Sequence, residues 1–471
     1  MPDCEALNLR RLFENGGIPM NEEIRADLIV CGAGTAGAVA AIAAADQGID
    51  ALVVDQFGCA GGSATNSFVT PMMNSGVPGN PHCSYVGEEI NRRMVALGAA
   101  AGDGKVWFDP EALKFVLEEM LTERGVRRLY HSFICGAEMD VRRVTGVTAA
   151  NKSGLVALRG KAFLDATGDA DLCARLGLPV MHGNETDGAN QPVSLRYILG
   201  SVDLDAFWEQ IQSMRPDGSM RSPRPENFDG AVTSSFSPNW ALSPLFQKAI
   251  AAGDLMPMDA AYWQYFTIPG RCDALALNCP EFFDFRNADD AETLTRVQID
   301  GKRAVMRQLS FYKKYLKGFE KAYVSAVAPM VGVRESRRAV TEYVLTHEDC
   351  ARHARFEDAI LRTNYAIDVH GKVLKNERLS DGDAERPYYE IPLRSLIVRD
   401  AENLLAAGRN LGADFIAQSS ARIIPSCRAM GEAAGIAAAM YVKEKARRMA
   451  EIDGARVRAE MERRGADFGA M

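Results

Sequence analysis

The sequence has no pair of cysteines spaced C-x-x-C, although it carries ten cysteines, at positions 4, 31, 59, 83, 135, 173, 272, 279, 350 and 427. That absence excludes a redox dithiol, a zinc knuckle and a ferredoxin-type cluster motif, so no metal site is predicted. The cysteines read instead as small buried apolar residues in a reducing cytoplasm. Positive charge is not in excess either. The 54 Lys and Arg face 62 Asp and Glu, a net charge of −8, which argues against a nucleic-acid partner. Met1 to Glu23 lacks a basic region followed by an apolar core, so no secretory signal is expected. The run from Leu28 to Ala45 is uncharged and long, but three glycines in a turn pattern break it, and no membrane span is predicted. There is no internal repeat. What is present is an ordinary globular composition, 47% apolar and 25% charged, over 471 residues. That length exceeds one hydrophobic core and implies two domains or a discontinuous pair.

The most informative stretch runs from Ala26 to Thr65. The apolar run Leu28–Cys31 turns through Gly32-Ala33-Gly34-Thr35-Ala36-Gly37, continues as a small-residue helix to Gln47, breaks at Gly48, and returns as Ala51–Val54 ending on Asp55. Strand, glycine turn, helix, strand and acid together make the fingerprint of a dinucleotide-binding βαβ unit. Gly32 permits the tight turn, Gly34 admits a pyrophosphate, and Gly37 lets the helix pack closely. The free N–H groups at the helix start, at Thr35 and Ala36, face the phosphates. Asp55 accepts the ribose hydroxyls and would repel a 2′-phosphate, which disfavours NADP. The fingerprint reads only the ADP half and leaves FAD and NAD open.

Further on, Gly61-Gly62-Ser63-Ala64-Thr65 is a glycine-rich loop. Asp109-Pro110-Glu111 opens a helix with Leu113, Val116, Leu117, Met120 and Leu121 on one face. Extended segments are expected at Arg128–Ile134, Val144–Ala149 and Leu155–Leu158, leading to Asp165-Ala166-Thr167-Gly168-Asp169. After Gly177 the character changes: Val193–Leu199 reads as a strand, Ser213–Asn239 as a long surface loop or lid, and Asp290–Gly318 as a helix. Asn403–Asn410 is an apolar strand ending in a glycine turn at Gly408-Arg409. A last Ala- and Gly-rich helix starts at Pro425 and runs to about Arg448, where Gly431 and Gly435 suit close packing on the sheet.

Taken in order, these pieces resemble the FAD-dependent oxidoreductases of the glutathione-reductase-type Rossmann class. Within it the chain is most similar to the family related to the flavin subunit of heterodisulfide reductase, from Ala26 to Gly465. The carriers are Gly32-x-Gly34-x-x-Gly37 with Asp55, Gly61–Thr65, Asp165–Asp171, Gly408-Arg409 with Ser420–Pro425, and the family-specific Gly332–Arg338. The resemblance implies an α/β fold, with a Rossmann-type FAD-binding domain (parallel sheet, helices and a β-meander) and an inserted α+β substrate domain. It implies that Gly61, Gly62, Ser63, Ala64 and Thr65 run beside the cofactor, and that Thr167, Gly168 and Asp169 close its phosphate side. Gly408, Arg409 and Arg422 return to it, and the helix from Pro425 aims its positive end at the flavin. Some relatives carry a 4Fe-4S cluster, but no cysteine cluster motif is seen here. A flavin monooxygenase is disfavoured because Gly408-Arg409-Asn410 stands where Gly-Asp-Ala-Ala-His would be.

Chemistry is expected from three residues. Arg334 and Arg337, at helical spacing, would clamp a carboxylate or polyol, and His370 would accept a proton. An ion-paired hinge is the competing reading of the arginine cluster. His182, Cys59 and Cys427 are weaker candidates. The expected domains are 24–185 and 392–450 for FAD, 186–391 for substrate, and 451–471 as a helical tail. The predicted activity is flavin-mediated hydride transfer to or from a small organic molecule in the cytoplasm, with an electron acceptor the sequence does not name and homo-oligomerisation left open. The rivals are an NAD-linked dehydrogenase and a flavin-bearing electron-transfer subunit of a larger complex.

Overall fold

The computed structural model describes residues 20–104, 106–215, 223–233, 241–284, 287–370 and 387–469. Residues 1–19, most of the polar and mixed segment 1–23 that reads from the sequence as a loosely attached arm, lie outside them, as do parts of the stretch 213–239. The chain enters through β1 (Met20–Cys31), α1 (Thr35–Asp46) and β2 (Ala51–Val54). Leu28 to Cys31 and Leu52 to Val54 are buried on both faces, as a parallel sheet covered by two layers requires. Leu28 pairs with Ala51, parallel, and β3 (Arg127–Leu129) extends the sheet beyond β2. Between them, Asp109 caps α2 (Pro110–Glu123) by accepting the Glu111 N–H at 2.8 Å, and the predicted apolar face of α2 is buried.

Next come β4 (Phe133–Asp140), β5 (Arg143–Asn151) and β6 (Gly154–Asp165), an antiparallel meander whose last strand lies parallel against β1. The sequence suggests a short extended piece at Leu155–Leu158, but the strand runs on to Asp165, 12 residues in all.

The second sheet is assembled from β7 (Tyr197–Gly200), β8 (Asp229–Thr233), β9 (Tyr262–Thr267), β10 (Leu275–Leu277) and β11 (Tyr323–Val327), in the order β8-β9-β10-β7-β11 with every pairing antiparallel. The stretch expected as a lid therefore contains an edge strand, β8, paired along β9. On β9 side chains alternate between faces. Trp263 and Tyr265 join a core with Phe207 and Phe246, ring centroids 5.2 Å apart for Phe207–Tyr265 and for Phe246–Trp263. The helix α3 (Ala291–Tyr315), capped by Asp290, adds Phe311 and Tyr312 to that core. Of the expected 186–391 insert, Tyr197 to Ala322 build this core, whereas Leu345, Ile360, Ile367 and Tyr389 sit in the first core beside Leu28.

The chain then returns as β12 (Leu404–Ala406), which takes the half of the β6 edge that β5 leaves free. β5 pairs with Leu155–Leu158, and β12 with Phe163–Asp165. The helix α4 (Ile424–Glu444) follows and is buried along most of its length. Its glycines serve a helix rather than the sheet: a Cβ on Gly431 would fall 2.2 Å from the Ala36 carbonyl oxygen, and one on Gly435 2.2 Å from that of Ala40, both in α1. Among the described residues no helix is long and apolar enough to cross a membrane.

Glu432 of α4 is buried and accepts bonds from Ser84 Oγ at 2.7 Å and the Val86 N–H at 3.0 Å, while Oε1 has no partner. Burial pushes its carboxyl up to about 8, outweighing those two bonds, which pull it down. A raised folded-state pKa means the native state holds a proton that the unfolded chain releases. The stabilisation is complete below about 4.5 and is lost as pH rises to about 8. Glu432→Gln is neutral throughout and is expected to remove a decline of up to about 1.4 kcal/mol per pH unit in that window, seen as a flatter profile of urea midpoint against pH.

Candidate functional site

At the end of β1 the three glycines of the turn do different work. Gly32 has φ of +101°, and a Cβ there would lie 2.4 Å from the Ala166 carbonyl oxygen. A Cβ on Gly37 would lie 1.9 Å from the Gly32 oxygen. Both are demanded by the fold. Gly34 has an ordinary extended backbone, and the nearest atom to its Cβ position is 3.7 Å away. The fold does not need a glycine there. Its free side faces a cavity of about 470 Å³, within the roughly 300–1,000 Å³ span of small-molecule and cofactor sites.

Asp55 lines the same cavity and accepts the Ala33 N–H at 2.6 Å and the Phe57 N–H at 2.8 Å. Burial holds its carboxyl above the ordinary value in spite of those bonds. No side chain caps α1, so its first amides remain available to a ligand. The glycine loop is laced to this turn: Gly61 N–H donates to the Ala33 oxygen at 2.8 Å, and Thr35 Oγ1 donates to the Gly61 oxygen at 3.1 Å. A Cβ on Gly62 would sit 2.7 Å from Gly34 Cα, so that glycine allows two backbones to touch. Gly62 and Ser63 border the cavity. Gly61, Ala64 and Thr65 stand behind it, with Thr65 Oγ1 tied to the Ala60 oxygen at 2.8 Å.

Two later turns reach the same cavity. The buried Asp165 accepts Thr167 Oγ1 at 2.7 Å and the Cys173 N–H at 3.0 Å, while Asn410 Nδ2 donates to its backbone oxygen at 3.1 Å. One strand end thus fixes both Thr167-Gly168-Asp169 and Gly408-Arg409, all five of which line the cavity. Arg409 pairs with Asp169 at 2.8 Å. The first turn of α4 contributes Ile424 and Cys427, while Pro425 itself does not border the space. Burial pushes the Cys427 thiol up to about 12, which leaves no thiolate for redox work. Cys59 and His182 lie outside the lining, and His182 is 3.2 Å from Asp289.

At its other end the cavity is polar. Arg334 and His370 both line it, and each approaches Oε1 of Glu281 at 3.0 Å. His370 Nε2 is also 3.2 Å from Asp368 Oδ1, and Arg422 Nη2 is 3.1 Å from Asp368 Oδ2. Burial and Arg334 push the imidazole down, but Glu281 and Asp368 outweigh them and hold it above its ordinary value. The same partners keep both carboxylates low despite their burial. The face of β9 opposite Trp263 and Tyr265 adds Tyr262, Gln264 and Phe266, and β10 is followed by Asn278, which donates to the Tyr262 hydroxyl at 3.0 Å. Arg196 completes this end.

Arg337 is not part of it. The segment Arg337–Ala339 is a short strand paired with His182 and its neighbours, so the arginines do not share a helical face. Arg337 donates to the Asp169 oxygen at 2.9 Å and to Asp171 Oδ1 at 2.6 Å, bracing the second turn from behind. Arg422 also departs from its expected place beside the cofactor motifs and pairs with Asp368 at the polar end. Arg196, Glu281, Gln264 and Asn278 were not singled out from the sequence. The aromatic run Tyr262–Phe266 is the sequence feature that could have marked the strand carrying Gln264, and no local pattern marks the other three. Among the described residues no group of three or more His, Cys, Asp or Glu is placed to hold a metal ion.

The chain was compared with known proteins. No protein of curated function matches it. Among solved structures, a geranylgeranyl bacteriochlorophyll reductase-like protein from Thermoplasma acidophilum shares 13% identity over 94% of this chain and 83% of its own, with a TM-score of 0.46. The flavin-dependent brominase Bmp2 gives 11%, 93%, 83% and 0.47 in the same terms. The p-nitrophenol 4-monooxygenase of Pseudomonas putida gives 11%, 90%, 82% and 0.42. At such identities no shared chemistry follows. The family model described as "FAD dependent oxidoreductase" matches residues 27–461. That span takes in the glycine turn, both later turns and every charged group of the polar end, and the chain accordingly belongs to the FAD-dependent oxidoreductase family, with FAD as its cofactor.

Proposed function

We propose that this enzyme transfers a hydride to or from a small organic molecule seated at the polar end of the cavity, with FAD lying along the glycine-lined part. The carrying observation is the continuity of that space. Gly34, Gly168 and Arg409, from three distant parts of the chain, border the same cavity as Arg334 and His370. In this reading the Thr35 and Ala36 amides hold the pyrophosphate and Asp55 accepts the ribose hydroxyls. Gly32, Gly62, Ser63, Thr167, Gly168, Asp169, Gly408 and Arg409 wall the remainder. The start of α4, uncapped by any side chain, directs its amides at the ring. Relationship to the glutathione-reductase class and to the heterodisulfide reductase flavin subunit belongs to the same reading, as does a cytoplasmic location. We place the substrate-side unit at Val193–Val331, shorter than 186–391, because Leu345 to Tyr389 pack in the first core.

FAD supplies the two-electron chemistry when bound. The chain supplies position and a proton. His370, held between Glu281 and Asp368, keeps its proton to a higher pH than an ordinary imidazole and is set to donate rather than to accept, where the sequence suggested a proton acceptor. The direction this favours is reduction of the substrate. The test is anaerobic mixing of the reduced, FAD-loaded protein with a panel of small carbonyl and unsaturated compounds, read as return of the flavin absorbance. The rate constant is expected to fall as pH rises through a value above 6.5, because the donor form of His370 exists only below its pKa. Loss of that dependence in His370→Gln would support the assignment. Electron exchange with a partner protein and with no small molecule would overturn it.

A further inference from the structure

We propose that the polar end of the cavity is a carboxylate subsite, in which Arg196 and Arg334 bind the acid group of an anionic organic substrate. The proposal rests on the functional reading above and adds the substrate's chemical class.

The argument is one of unmatched charge. Arg334, Arg422 and Arg196 bring three guanidinium groups to this end, and His370 stands among them, but among the described residues only Glu281 and Asp368 answer them. Arg334 and His370 share a single oxygen of Glu281. Arg334 Nη2 is buried with no hydrogen-bond partner among the described residues, although Nη1 donates to the Pro192 oxygen at 2.7 Å. Arg196 is the clearer case. It is 7% exposed, and among the described residues no carboxylate lies within ion-pair distance of it. Among the described residues its only hydrogen bond is a long one, 3.4 Å from Nη1 to the Phe68 oxygen, and Nε has none. Burial and the neighbouring Arg334 push its guanidinium down to about 9.

A buried, unpaired guanidinium is costly to keep. A packing role would be met as well by an apolar residue of similar length. A neutral polyol would satisfy hydrogen bonds and leave the charge uncompensated. A carboxylate does both, because the planar fork of a guanidinium matches its two oxygens. Tyr262, Gln264 and Asn278 bond to one another through the Tyr262 hydroxyl, Gln264 Oε1 and Asn278 Nδ2, whereas Arg196 Nε, Arg334 Nη2 and Arg422 Nε are buried donors without a partner among the described residues.

The test is calorimetric titration of the FAD-loaded protein, at constant ionic strength, with succinate and benzoate against succinamide and benzamide. Both acids are expected to bind and the amides to bind about tenfold more weakly or not at all, and Arg196→Gln to weaken the acids about tenfold or more with FAD content unchanged. Arg196→Lys, which keeps the charge, is expected to restore part of the affinity. Equal binding of acid and amide, no binding of either acid, or unaltered acid affinity in Arg196→Gln would overturn the proposal. Loss of FAD from Arg196→Gln would overturn it too, since the side chain would then serve the cofactor. If Arg196→Gln does not fold, the acid–amide comparison on the natural sequence still decides. Failure of the natural protein to take up FAD would count instead against the functional reading.

Discussion

Gly34→Val is expected to fold normally and fail to retain FAD. Two neighbouring glycines of the turn would clash with protein atoms if given a side chain, at 2.4 Å for Gly32 and 1.9 Å for Gly37, whereas the corresponding position at Gly34 is 3.7 Å from its nearest neighbour. Its φ of −64° and ψ of −171° suit any residue. The Cβ of a valine there makes only ordinary van der Waals contact with Ala166 and Gly62, and the side chain takes up space at the start of α1, where the proposed function has the phosphate approach the amides. FAD affinity should fall about 100-fold or more, equivalent to about 2.7 kcal/mol, measured by equilibrium dialysis. The melting temperature of the FAD-free protein should match that of the natural sequence. Gly37→Ala supplies the contrast: its Cβ would press on the Gly32 carbonyl, so it should lower the stability of the FAD-free protein as well. If Gly34→Val bound FAD as the natural protein does, the cavity beside Gly34 would not be the phosphate site.

Asp259→Ala is expected to destabilise the second sheet by about 3–5 kcal/mol. Asp259 is fully buried and receives Arg307 through two bonds, at 2.7 and 2.9 Å, together with Gln308 Nε2 at 3.2 Å and the Met256 N–H at 2.8 Å. Through Gln308 this carboxylate connects to a buried chain of hydroxyls. Tyr197 donates to Gln308 Oε1 at 2.9 Å and meets the Tyr312 hydroxyl at 2.6 Å, and Trp263 Nε1 donates to the Tyr312 oxygen at 2.7 Å. Trp263 lies on β9 between Tyr262 and Gln264, which face the cavity. Removing the carboxylate strands the Arg307 charge and loosens the layer behind the cavity wall. A lower urea midpoint is the readout. A midpoint unchanged in Asp259→Ala would mean that solvent compensates the half-buried Arg307.

The first half of the site was legible in the sequence because it is local. Gly32, Gly34, Gly37 and Asp55 sit in one βαβ unit, where each residue type follows from a short-range requirement of backbone and phosphate. The polar end was not, for two physical reasons. Its wall is built from strands of three to six residues, β9 and β10, too short to carry a clear period, and its charges come from positions 196, 281, 334, 368, 370 and 422, joined only by tertiary packing. Arg337 was misplaced because its spacing from Arg334 was read with a helical period, whereas the segment is extended and turns its side chains to different neighbours. His370 was found, but its proton affinity depends on Glu281, which no local pattern tied to it.

The shared edge of β6 has a consequence for how this enzyme is made. Phe163 to Asp165 find their second neighbour only in Leu404–Ala406. While the protein is being synthesised, those three residues keep open backbone groups until the strand Leu404–Ala406 has left the ribosome. The cavity is subject to the same delay, since the turn at Gly408 that forms part of its lining directly follows that strand.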